Sequence, residues 1–174
     1  MNLEKFLSKT KSDIIKYLVF KRQVSMRALE QELEWTFPAI KKQIDSLEES
    51  DILIINKSAQ ARSIELDPRI QDIISQLVIT TLKQSCEKLF SVYEVIISQR
   101  YYKLFGQLIE QDLVILYKNI DSNLEQIKKE LSTLLHEFFI DHASIVFMNE
   151  DEFRKRINMA DKFALGIIRA QGNK

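Results

Sequence analysis

The chain has 174 residues, 25 Lys+Arg against 25 Asp+Glu, and is 45% hydrophobic and 29% charged. That composition supports a buried core and excludes a disordered chain, a broadly basic nucleic-acid coat protein and an acidic tail. Three glycines and two prolines favour long regular elements and count against a glycine-rich phosphate cradle.

The first stretch, Met1 to Leu66, reads as three helices and a hairpin. Ser12 can cap a helix with Ile14, Ile15 and Leu18 on its apolar face. Ser25 can cap a second, with Leu29 and Leu33 inside, and Val24 and Leu29 are spaced as a hydrophobic staple. Thr36 can cap a third, with Pro38 in the first turn, where a missing N–H costs little. Ile40, Ile44 and Leu47 then recur at helical spacing. Ile52 to Asn56 is β-rich, Lys57 to Ala61 is polar and small, and Arg62 to Leu66 can return as a partner strand.

Asp67-Pro68 pairs a capping residue with an N1 proline. From there an apolar stripe, Ile70, Ile73, Ile74, Leu77, Thr81, Leu82, Cys86, Leu89, Phe90, Tyr93, Ile96 and Ile97, keeps helical spacing to about Arg100. Unbroken, that helix would be about 50 Å long. Such a rod joins two bodies or pairs with a second copy, unless it breaks near Gln84-Ser85.

In the third stretch, Tyr101 to Phe105, Leu113 to Tyr117 and Ala143 to Met148 read as strands. Ser122 to Glu125 is a capping box opening a helix with Leu124, Ile127, Leu131, Leu134, Leu135 and Phe138 on one face. Asn149 to Glu152 starts another helix, stapled by Met148 and Phe153, and Asp161 to Ala170 is a final short one. The expected fold class is α+β: an N-terminal unit (1–67), a linking or dimerisation helix (68–100) and a small C-terminal α/β domain (101–174).

Helix, helix, helix, hairpin is the order of a winged helix-turn-helix, in which the second helix braces the third and the third enters the DNA major groove. The run Ile40-Lys-Lys-Gln-Ile-Asp-Ser-Leu-Glu-Glu-Ser-Asp-Ile-Leu53 resembles the recognition helix and following turn of winged-helix transcriptional regulators. Where those families usually end the helix with glycine, Asp51 stands here and tolerates a left-handed backbone at some cost. With Ile40, Ile44 and Leu47 inward, Pro38, Lys42 and Asp45 point outward. Lys41 flanks them, and Ala39 and Gln43 lie at the margins. Lys42 and Gln43 are placed for base edges; Lys41, Lys57 and Arg62 are placed for phosphates. The expected DNA-binding set is thus Thr36, Pro38, Ala39, Lys41, Lys42, Gln43, Lys57 and Arg62. Charges from Met1 to Leu66 nearly cancel, and Asp45, Glu48 and Glu49 dilute the positive cluster.

Lys103-Leu-Phe-Gly-Gln107, Glu110-Gln-Asp-Leu-Val-Ile-Leu-Tyr117 and Ala143-Ser-Ile-Val-Phe-Met148 resemble the minimal nucleotidyltransferase domain. In that family a Gly-Ser turn holds triphosphate and three carboxylates hold divalent metal. The closing run from Asp151 to Ile157, followed by Asp161 to Ile167, is similar to its last helices. Aligned on it, Phe105-Gly106 is kept but Gln107 replaces the serine. Glu110 and Asp112 fall on two metal carboxylates, and Ser144 falls on the third, with Asp141 three residues earlier. Lacking the turn and the third ligand, the domain loses the positioning that phosphoryl transfer requires. The resemblance implies a degenerate, non-catalytic domain.

Cys86 is a lone cysteine, expected in a core or interface. His136 and His142, with Glu137 and Asp141 between them, are read as partly exposed polar residues rather than metal ligands. No apolar run reaches membrane-spanning length and no secretory signal opens the chain. The combined expectation is a cytoplasmic, non-enzymatic transcriptional regulator. It would bind double-stranded DNA through its winged helix and dimerise or sense a signal through its C-terminal body, with no cofactor and no membrane. The alternatives are a protein-docking adaptor, or a nucleotidyltransferase-type enzyme or toxin–antitoxin component.

Overall fold

The computed structural model describes Leu3 and residues 6–21, 23–57, 62–89, 92–97, 113–118 and 124–172. The protein is of mixed α+β class, and it divides into two compact units, Met1–Thr81 and Leu82–Lys174. Among the described residues, no helix is long and apolar enough to cross a membrane.

The first unit runs α1 (Lys9–Lys21), β1 (Val24–Ser25), α2 (Met26–Glu32), α3 (Phe37–Glu49), β2 (Leu53–Lys57) and β3 (Arg62–Leu66). Its antiparallel sheet has the order β1-β3-β2, with Leu53 opposite Leu66 and Lys57 opposite Arg62. The helices close over the sheet's apolar face through Ile14, Ile15, Leu18, Leu29, Ile40, Ile44, Leu47 and Ile64, all buried. The two-residue β1 was not expected; it exists because β3 offers Ile64 and Ser63 as partners for Val24 and Ser25.

The helix starts follow local hydrogen bonding, with one correction. Ser25 caps α2 by accepting the Ala28 N–H at 3.1 Å, and both staple residues, Val24 and Leu29, are buried. Helix α1, however, starts one turn before the expected Ser12 cap. Ser8 accepts the Lys11 N–H at 3.4 Å, while Ser12 is fully buried inside the helix and its hydroxyl has no partner among the described residues.

Helix ends depend on left-handed residues that are not glycine. Asp51 lies at φ 55°; its N–H donates to the Glu48 carbonyl at 3.0 Å and that of Ile52 to Leu47 at 2.9 Å, the double bond of a Schellman motif. The same pair of bonds ends two later helices, with Phe139 (φ 59°) and Ala160 (φ 55°) in the glycine position. Each of these side chains opposes the left-handed conformation by about 1 kcal/mol, so the turns are held by the bonds around them.

Helix α4 (Gln71–Leu89) follows Asp67. The Asp67 carbonyl accepts the Gln71 N–H at 2.9 Å, and its carboxylate accepts the Arg69 N–H at 2.8 Å and the Arg69 Nε–H at 2.9 and 3.0 Å. Arg69 Nη2 also lies 3.6 Å from Asp51, so one guanidinium ties the end of α3 to the start of α4. Its hydrogen bonds hold the Asp67 carboxyl below its ordinary value of 3.8. A depressed carboxyl contributes stability above its unfolded pKa, and that contribution is lost as pH falls through the folded pKa. Asp67→Asn is therefore expected to lower the Tm at neutral pH and to flatten the loss of stability below pH 3.8. Thermal melts of both proteins across that range check it.

The expected helix to Arg100 is corrected. Helix α4 continues through Gln84-Ser85 but ends at Leu89, and Val92–Ile97 is a strand, β4, in the second unit. Val92, Tyr93, Val95, Ile96 and Ile97 are strand-favouring residues, and β5 (Leu113–Tyr117) supplies their antiparallel partner. The expected strand at Tyr101 to Phe105 and the Ser122 capping box lie outside the described residues.

The rest of the second unit is α5 (Leu124–Glu137), β6 (Ile145–Asn149), α6 (Glu150–Asn158) and α7 (Lys162–Gly172). The sheet order is β4-β5-β6, with β5 antiparallel to β4 and parallel to β6. Leu113 to Leu116 are fully buried, as in a strand covered on both faces. On one face Val114 and Leu116 pack with Met148, Phe153, Ala164 and Ile167. Asn149 caps α6 by accepting the Asp151 N–H at 2.8 Å, and Asp161 caps α7 by accepting the Ala164 N–H at 3.1 Å. Strand β6 begins at Ile145 rather than at the expected Ala143, so Asp141 and Ser144 both precede it.

Candidate nucleic-acid interface

Helix α3 is anchored on one side and open on the other. Ile40, Ile44 and Leu47 are buried against the rest of the first unit, while Phe37, Pro38, Lys41, Lys42, Asp45, Glu48 and Glu49 are exposed. Pro38, Lys41, Lys42, Asp45, Ser46 and Glu49 line an open groove of about 540 Å³. Neither the Lys41 nor the Lys42 ammonium is engaged in an ion pair among the described residues.

Charge along this surface is segregated. The first half of the helix carries Lys41 and Lys42, and the second carries Asp45, Glu48 and Glu49. This runs against the helix macrodipole, which favours acids in the first turn and bases in the last; α3 has neither.

The remaining expected residues fall around that core. Thr36 is exposed and is the N-cap by backbone geometry, but its side chain makes no capping bond. Ala39 and Gln43 are half-buried at the margins of the outward face, and Arg62 is exposed where β3 begins. The Lys57 backbone pairs with Arg62 at the end of the hairpin, and residues 58–61 lie outside the described set, as do Glu110 and Asp112.

Lys11 was not expected here. Its Nζ donates to Ser46 Oγ at 2.8 Å, bracing α1 against the groove-lining side of α3. The two residues are 35 positions apart, so no local pattern could pair them. Trp35 adds a second brace in the turn before α3, its Nε1–H donating to Asp13 at 3.3 Å.

Among the described residues no cluster of His, Cys, Asp and Glu could hold a metal ion. His136 Nδ1 lies 4.0 Å from Asp141, both exposed. Cys86 is buried and its thiol is pushed up to about 12, chiefly by desolvation, which favours the protonated thiol. Glu150, nearly buried at the start of α6, is held by Arg154 at 3.1 Å.

No known family model, curated protein or solved structure matches this chain.

Proposed function

We propose that the protein is a DNA-binding transcriptional regulator. Its first unit acts as a winged helix-turn-helix with α3 in the major groove and the β2–β3 hairpin toward the phosphate backbone. The observation that carries this reading is the exposed Lys41–Lys42 pair, unpaired among the described residues, on a helix whose opposite face is bolted into the core. The order helix, short strand, helix, helix, hairpin, with the short strand pairing to the returning arm, supports it. The second unit is read as a degenerate nucleotidyltransferase-like domain that dimerises the protein or senses a signal. Its sheet, antiparallel from β4 to β5 and parallel from β5 to β6 among the described residues, supports that reading. A homodimer would present two α3 helices to two half-sites.

The test is a mobility shift of the full chain with duplex from its own upstream region, across a salt series. Lys41→Ala with Lys42→Ala is expected to weaken binding by at least about tenfold and to reduce the salt slope by about two. Unchanged binding would remove α3 from the interface. No duplex affinity even at low salt would favour the alternative, a protein-docking adaptor whose wing meets a protein partner.

A further inference from the structure

Phe37 is the first residue of α3 and is 43% exposed, although a phenyl ring contributes most when buried. It makes no ring contact among the described residues. One helical turn on, at the i+4 position, stands Lys41, and next to it are Pro38 and the exposed Thr36. The leading end of α3 is thus an apolar tip bordered by two cations that have no ion pair among the described residues, with the acids confined to the trailing end. A hydrophobic protein partner would match the tip but leave both ammonium groups without counter-charge. The surface that answers both features is a polyanion displaying small apolar groups beside its charges. Duplex DNA does so in the major groove, where thymine alone among the four bases carries a C5-methyl.

We propose that Phe37 is a specificity-determining residue, its ring packing on the C5-methyl of a thymine while Lys41, one turn on, meets a flanking phosphate. This rests on the reading of α3 as the DNA-contacting helix. It adds to that reading a preference for thymine that a lysine does not supply, since an ammonium donates to phosphates or to base acceptors and does not read a methyl group.

Deoxyuridine differs from thymidine only by lacking that methyl and pairs with adenine in the same way, so it isolates the contact. The full-length protein would be used to select tight-binding duplexes from a random pool. Each thymine of a selected duplex is then replaced singly by deoxyuridine. The expected result is a loss of about five- to tenfold at one thymine per half-site, with the salt slope unchanged. Phe37→Ala is expected to bind the thymine and deoxyuridine duplexes equally, and Phe37→Leu to retain part of the difference. If the wild-type protein binds duplex DNA but no deoxyuridine substitution weakens it, the Phe37 assignment is overturned while the DNA reading stands. The same holds if Phe37→Ala keeps the full discrimination. If the wild-type protein selects no duplex at all, both fall together.

Discussion

Replacing Glu48 and Glu49 together by lysine is expected to tighten duplex-DNA binding by about ten- to a hundredfold at 0.1 M salt and to raise thermal stability at the same time. Both gains have one cause. Glu48 and Glu49 occupy the last turn of α3, where the helix dipole disfavours acids, and no basic residue offsets them there. Reversing each charge at a helix C-terminus is worth about 0.3–1 kcal/mol. The same acids share the exposed side of α3 with Lys41 and Lys42, and Glu49 lines their groove. Each new phosphate contact adds about 0.9 to the salt slope, which near 0.1 M amounts to roughly a factor of ten. Binding measured across a salt series, with thermal melts of the same preparations, checks both halves. A docking surface for a basic protein would give the reverse, loss of partner binding with no gain on DNA. A variant that is more stable but no better at binding would mean that the trailing end of α3 lies away from the phosphates.

What the sequence disclosed depended on the range of the interaction that decides each feature. Ser25 and Asn149 were legible as helix starts because a hydroxyl or amide oxygen reaches a backbone N–H two or three residues away. Ile40, Ile44 and Leu47 were legible as the inward face of α3 because their spacing alone puts them together, and all three are buried. The left-handed Asp51 was legible from the missing glycine, whereas Phe139 and Ala160 were not, since neither residue type signals a turn. Val92 to Ile97 misled because Tyr93, Ile96 and Ile97 continue the helical spacing of α4. Only a partner strand some twenty positions on, Leu113 to Tyr117, tips that segment to β. The Lys11–Ser46 brace and the Arg69 bridge from Asp67 to Asp51 were closed to sequence reading for the same reason.

Ile44→Ala is expected to destabilise the protein by about 2–5 kcal/mol, whereas Ile44→Val is expected to cost only about 0.5–1.5 kcal/mol. Ile44 is fully buried at the midpoint of α3, and that helix packs on α1, α2 and β2. Truncation to alanine removes three carbons from a site lined by secondary structure on several sides, so little of the void can close. The urea midpoint of each variant, read with an unchanged m-value, measures the loss. The consequence for function follows from the same anchorage. Lys41 and Lys42 can be offered to a polyanion at a defined angle only while Ile40, Ile44 and Leu47 fix the helix beneath them. Ile44→Val should therefore bind DNA like the wild type, and Ile44→Ala should lose affinity only in proportion to its unfolded fraction. If Ile44→Ala costs less than about 1 kcal/mol, the inward face of α3 is not what holds it, and the outward direction of the lysines loses its physical basis.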